Sequence, residues 1–359
     1  MTESLRSPLH ACHADAGGRM IDFGGWRLPV HYGSILTEGR AVRTGAGMFD
    51  VSHMGRFDVR GPRALDVLQR LGTNDLTRIG PGRAQYTLWC NPDGGVIDDL
   101  IVFWMRSDEF MVVVNGSTRE DDWAHLSACL DGTLAVDETQ DTAMIAVQGP
   151  RAREIVAALG AAEVLDMKRF AVVRTTVAGT GAIVSRTGYT GEDGVELVTD
   201  AGAGPRVWEA LREAGVVPCG LGARDALRME MGYPLYGHEL GPDVSPLEAG
   251  LDFAVRLEGR DFIGSEALRK HPPERRLVGF VASKRCVPQP GDAIGAATVT
   301  SGGTSVVLDA PIGLAFAPLH MVPGPATLVT RGKEIPCEVR ELPLIDRSRP
   351  IPATATVSS

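Results

Sequence analysis

The stretch Gly94-Gly95-Val96-Ile97-Asp98-Asp99-Leu100-Ile101-Val102-Phe103-Trp104 decides how this chain is read. Asn91-Pro92-Asp93-Gly94-Gly95, ending inside it, is a turn signal. The residues after the aspartates are β-branched or aromatic and apolar at both parities, which predicts a strand buried on both faces. A carboxylate beside such a strand loses hydration, at a cost unless donors reach it. Alternation along the strand puts Asp99 on one face with Ile101 and Phe103, and Asp98 on the other with Leu100 and Val102. The two therefore cannot face each other as an acid and base pair. One contacts a ligand while the other orients the turn or takes water. The plain alternative is a solvated Asp-Asp at a strand start.

Working outward, strand-like runs fall at 85–89, 96–104, 110–114, 143–147, 182–186 and 195–199. Helix-like runs fall at 62–71, 119–129, 151–158, 205–214 and 223–231. Pro62 and Pro205 suit first helical turns. The runs at 182–186 and 195–199 read as a hairpin, with Asp193-Gly194 as its turn. Interleaved helices and short hairpins predict an α+β fold and not a doubly wound parallel sheet. After Pro272-Pro273 only short strand-like pieces follow, at 277–282, 297–300, 312–317, 326–330 and 335–340, broken by Gly and Pro. That texture predicts a small all-β sandwich or barrel. The expected organisation is an α+β region over 1–270, an all-β domain over 271–346 and a disordered Pro/Ser/Thr-rich tail over 347–359.

Composition narrows the function. The 359 residues exceed one simple core. Hydrophobic content of 44% and charged content of 23% are ordinary for a soluble protein. A net charge of -9 argues against nucleic acid. The compact basic run from Arg269 to Arg276 contains two prolines and reads as a solvated linker. The six widely spaced cysteines form no C-x-x-C pair, which suggests reduced thiols and a cytoplasmic setting. His10 and His13 flank Cys12 without a further ligand cluster, so no metal is expected. No apolar run approaches the roughly 20 residues that span a bilayer. Met1 to Arg6 shows neither a secretory nor an arginine-rich presequence pattern. P-loop, zincin and nucleophile-elbow motifs are absent, and Gly220-Leu221-Gly222 lacks the third glycine of a dinucleotide fingerprint.

Four segments carry the remaining signal. They are Met48-Phe49-Asp50-Val51-Ser52-His53-Met54-Gly55, the 94–103 stretch, Ser185-Arg186-Thr187-Gly188-Tyr189-Thr190-Gly191-Glu192-Asp193-Gly194-Val195-Glu196-Leu197, and Gly220-Leu221-Gly222-Ala223-Arg224-Asp225-Ala226-Leu227-Arg228-Met229-Glu230. Together, in this order, they resemble the aminomethyltransferase (T-protein) family of the glycine cleavage system, over about three quarters of the chain. The resemblance implies interleaved ferredoxin-like folate-binding lobes followed by a small C-terminal β-barrel. It implies transfer of a one-carbon unit from an aminomethyl group, borne by a lipoylated carrier (H-protein), to tetrahydrofolate. The products would be 5,10-methylene-tetrahydrofolate and ammonia. By position it makes Asp99 the essential aspartate, close to folate N10, and places Met54, Tyr86, Asn115, Tyr189, Glu196, Arg224 and Tyr233 around the folate with it.

The residue types suit those expectations. A carboxylate such as Glu196 accepts a ring N–H and an exocyclic amine side by side, although an outward strand glutamate is the bland reading. Arg224 offers a planar fork to a carbonyl or to Glu196, against a structural network with Arg228, Asp225 and Glu230. The tyrosines stack and donate, or simply pack. His53 reads as structural. Two other functions compete: a folate-dependent demethylase of an N-, O- or S-methyl donor, and a non-catalytic folate-binding protein for iron–sulfur assembly. The second would carry a cysteine where Tyr233-Pro234-Leu235-Tyr236-Gly237-His238-Glu239 has none.

Overall fold

In the computed structural model, which describes residues 4–283 and 286–347, the deciding stretch forms strand Val96–Arg106. It lies second in an antiparallel five-stranded sheet ordered Arg83–Cys90, Val96–Arg106, Glu109–Val114, Gly55–Arg60 and Leu134–Asp137. One face of it, with Leu100, Val102 and Trp104, packs on helices Ala64–Leu71 and Arg119–Ser127 through Leu68, Leu71 and Leu126. The other face, with Phe103, Met111 and Val113, meets Met144, Ala146 and Val198 of a second sheet.

That second sheet has six strands, ordered Val172–Val177, Thr180–Ser185, Gly194–Asp200, Thr142–Gln148, Gly47–Asp50 and Val217–Pro218. The chain leaves it after Gly47–Asp50, builds the whole five-stranded sheet, and returns at Thr142–Gln148. The two α+β units are thus interleaved. The expected hairpin pairs Ala182 with Thr199 and Ser185 with Glu196. Behind the six-stranded sheet, Trp208, Val207 and Leu211 of helix Gly204–Glu213 are fully buried, each contributing about 1.5–3 kcal/mol relative to exposure.

The C-terminal strands Arg275–Ala282, Pro311–Pro318, Ala297–Thr304, Ala293–Ile294, Gly324–Thr330 and Lys333–Arg340 close into a barrel, as their texture predicts. The barrel is seated on helix Leu221–Met231 by buried charge. Arg228 donates to Asp225 (2.8 Å), Glu239 (2.9 Å) and Ser301 (2.8 Å). Glu230 accepts from Arg43 on one side and from Ser305 (2.6 Å) and the Val307 amide (2.9 Å) of the barrel on the other.

Some expectations need correction. The basic run is a solvated linker only in part: 269–274 are mostly exposed, but Arg275 lies over Phe316 (4.3 Å) and pairs with Glu248, and Arg276 pairs with Glu341. Desolvated arginine stems cover apolar surface, which composition alone does not reveal. The helix expected from Pro62 starts at Ala64. A three-stranded sheet of Leu5–Arg6, Trp26–His31 and Arg19–Phe23 was not foreseen, because Gly24-Gly25 and Pro29 mask its alternation. Of the expected tail, 348–359 lie outside the described residues, and Arg347 donates to Glu192.

Candidate active site

The turn predicted before the aspartates is tied by Asn91, whose Oδ1 accepts from the Asp93 and Gly95 amides (3.0 Å each). Gly95 lies directly beneath the Pro242 carbonyl. A Cβ there would come within 1.7 Å of its oxygen, so this turn packs only with glycine. The strand it launches delivers Asp99 to a cavity of about 950 Å³ between the two sheets and the barrel. Met54, Tyr86, Asn115, Tyr189, Glu196, Arg224 and Tyr233 line the same cavity as Asp99.

At one end, Tyr86 donates to Asp99 Oδ2 (2.9 Å) from the neighbouring strand, while its ring stacks on Phe253 (5.9 Å). Asn115, just past strand Glu109–Val114, donates from Nδ2 to Asp99 Oδ1 (2.8 Å) and Asp98 Oδ1 (2.8 Å), and from its amide to Asp98 Oδ2 (2.9 Å). One asparagine therefore bridges the two aspartates across the strand. Burial raises the Asp99 carboxyl above the usual range, opposed by the Tyr86 and Asn115 donors and by Arg224. Asp98 is closed off from solvent and bonds to Asn115, not to the turn it was expected to orient. It is fully buried, and burial followed by the charge of Asp99 pushes it up to about 7.

At the other end, Glu196 is 4% exposed, and Thr187 is the one donor it has among the described residues. Burial raises its carboxyl above the ordinary value, with Thr187 and Arg224 opposing. Arg224 does not join the helix's structural network. That network is made by Arg228 with Asp225 and Glu239, and by Arg43 with Glu230. The Arg224 guanidinium lies over the Tyr189 ring (4.8 Å), and its buried Nη1 has no hydrogen-bond partner among the described residues. Tyr189 stacks on Tyr233 (5.7 Å) and donates to the Pro234 carbonyl. Met54 forms the wall beside His53, which meets Phe23 edge to face (5.5 Å). Burial drops the His53 imidazole to about 4, so it is neutral at physiological pH.

Sequence reasoning missed Phe253, Phe23 and Thr187 as cavity-lining residues. Phe253 sits in a single 3-10 turn, Asp252–Ala254, and Phe23 ends the short strand Arg19–Phe23 beside Gly24-Gly25, and neither piece is long enough to show a periodicity. Thr187 stood inside a quoted motif, two residues from Ser185, whose hydroxyl it meets at 2.7 Å.

Fold and site define a class: an α+β enzyme body around a deep cavity roofed by a six-stranded barrel. Residues 9–259 match the family described as the GCVT N-terminal domain. The aminomethyltransferase of Symbiobacterium thermophilum is 43% identical over 367 residues, covering 96% of this chain and 98% of that protein. That of Moorella thermoacetica is 42% identical, over 97% of this chain and 100% of the relative. The crystal structure of glycine cleavage system aminomethyltransferase T from Bartonella henselae superposes with a TM-score of 0.88 at 30% identity, covering 96% of this chain and 98% of its own. The chain belongs to the aminomethyltransferase family.

Proposed function

We propose that this chain transfers the one-carbon unit of an aminomethyl group, presented on the lipoyl arm of a carrier protein, to tetrahydrofolate. Ammonia leaves and 5,10-methylene-tetrahydrofolate forms. One observation carries the reading. A single cavity pairs a half-buried acid already held by two donors, Asp99, with a buried carboxylate, Glu196, and a half-buried guanidinium, Arg224, that retain bonding capacity. A reduced pterin has the matching edge: a ring N–H and amine for Glu196, and a carbonyl for Arg224. Tyr189, Tyr233 and Met54 supply the apolar wall, and the cavity volume suits a ligand of that size.

Tetrahydrofolate supplies the accepting nitrogens. As ammonia leaves the aminomethyl carbon, positive charge develops there. A carboxylate fixed by Tyr86 and Asn115 stabilises that charge without reorganising. The raised pKa of Asp99 also makes it a better proton acceptor near neutrality than an ordinary aspartate. We place the reaction in the cytoplasm: the six cysteines are free, and among the described residues no helix is long and apolar enough to cross a membrane. The test mixes purified protein with aminomethyl-loaded lipoyl carrier and tetrahydrofolate and follows both products. Equal amounts of ammonia and methylene-tetrahydrofolate are expected. No product, with tetrahydrofolate still bound, would overturn the donor assignment.

A further inference from the structure

A third carboxyl group stands behind the two aspartates. Asp122, on helix Arg119–Ser127, is fully buried, and neither of its oxygens receives a hydrogen bond among the described residues. Its polar neighbours are the Asp98 carboxyl and the Thr118 hydroxyl. Asp98 is equally buried and already takes two hydrogen bonds from Asn115. Two carboxylates in contact in a dry interior cannot both stay ionised, and two bare oxygens facing a third party's lone pairs would be an unexplained loss. A proton on Asp122 resolves both problems. It supplies the missing donor, and the acceptor within reach is Asp98.

We infer that Asp122 is a positioning residue: it keeps its proton and shares it with Asp98, and the Asp98 anion so stabilised clamps Asn115, which holds Asp99. The chain of contacts is continuous. Asn115 presents one amide group to both strand faces at 2.8 Å each, so its orientation depends on an acceptor at Asp98 as much as on Asp99. Were Asp98 to take up a proton, that acceptor would weaken and Asn115 would be free to turn away from Asp99. The surroundings agree. Burial and then Asp98's charge push Asp122 up to about 10, so it is the group that retains the proton at neutral pH. The other titratable groups acting on the pair are Asp99, Asp121 and Tyr236. Tyr236 lies across from the helix, and its hydroxyl is held above its usual pKa by burial and by these acids. His125, one turn on, packs against Trp89 (5.6 Å) and is kept neutral by burial. Arg119, the arginine of this helix, is paired with Asp137 (2.6 Å), so a shared proton is the local means of holding negative charge at the pair.

This inference rests on the role proposed for Asp99, and the experiment separates the two. Turnover against pH and tetrahydrofolate affinity are measured for wild type, Asp122→Leu, Asp122→Asn and Asp99→Asn. Asp122→Leu removes the donor, so Asp98 ionises only at higher pH. Turnover at pH 7.5 is expected to fall about 10- to 100-fold, as for a small misplacement of the reacting group. It should recover toward wild type as the pH rises to about 9, with affinity unchanged, because Asp98 re-ionises. Asp122→Asn keeps an N–H for Asp98 and should rescue most of the loss. A wild-type pH profile for Asp122→Leu would overturn the inference. So would a loss that no pH recovers, or an equal loss in Asp122→Asn, each marking a packing role. If Asp99→Asn turns over normally, the Asp99 role falls and this inference with it. If Asp99→Asn is slow while Asp122→Leu matches wild type, only this inference falls.

Discussion

Replacing Glu196 with glutamine tests the folate end of the cavity at one atom. The carboxylate is buried on strand Gly194–Asp200, with Thr187 satisfying one oxygen and the other left for a ligand. Glutamine keeps the shape and one acceptor but turns the second position into a donor, which opposes a ligand N–H. A charge-assisted hydrogen bond contributes about 1.5–3 kcal/mol, and the apposed donors add to its loss. We therefore expect a loss of about 2–3 kcal/mol, or about 30- to 150-fold in Kd for tetrahydrofolate. Folding should not suffer, since the variant removes a charge that burial disfavours. Calorimetric titration at several pH values is the assay. Wild-type binding should weaken as the pH falls toward the raised Glu196 pKa, because the ligand selects the ionised form, and the variant should lose that slope. A Kd within about threefold of wild type, with the slope intact, would refute the assignment.

Other outcomes follow from the same geometry. Asp99→Asn should cut turnover about 10²-fold or more while leaving tetrahydrofolate affinity unchanged, and stopped-flow turnover near wild type would sink its catalytic role. His53 ionises at about 4 when folded and 6.5 when unfolded, so the unfolded chain binds more protons between those values. Stability should drop by on the order of 2–3 kcal/mol as the pH falls through that window, and urea melts of His53→Gln should show a shallower drop. Arg228→Met leaves the buried Glu239 carboxylate without its counter-charge, and a cost of about 3–5 kcal/mol should appear as a lower denaturation midpoint.

Much of the fold was legible because it is written locally. The parity of the 96–104 run assigned Asp98 and Asp99 to opposite faces, and the Gly- and Pro-punctuated pieces after 272 announced the barrel. The losses have a common physical cause. Strand Gly55–Arg60 buries Arg56 and Asp58, charged residues that erase its pattern until Thr139, Thr142 and nearby carbonyls are brought to Arg56. Asp122 reads in sequence as one more acid in a charged first helical turn, and its burial is created by the sheet it packs on. Glu196 and Arg224 were legible as residue types, but that Arg224 stays out of the ion network around Arg228 is a fact of side-chain direction, beyond the reach of i,i+4 spacing.

Helix Leu221–Met231 gives the cavity its arginine on one face and the barrel its ion network on the other. The C-terminal barrel is therefore a poor candidate for exchange between relatives. A transplanted barrel would have to set hydroxyls and an amide where Ser301, Ser305 and Val307 stand, and any tilt left by a misfit would be read out where Arg224 sits. Body and barrel share one helix as a common part, so neither can be moved without the other feeling it.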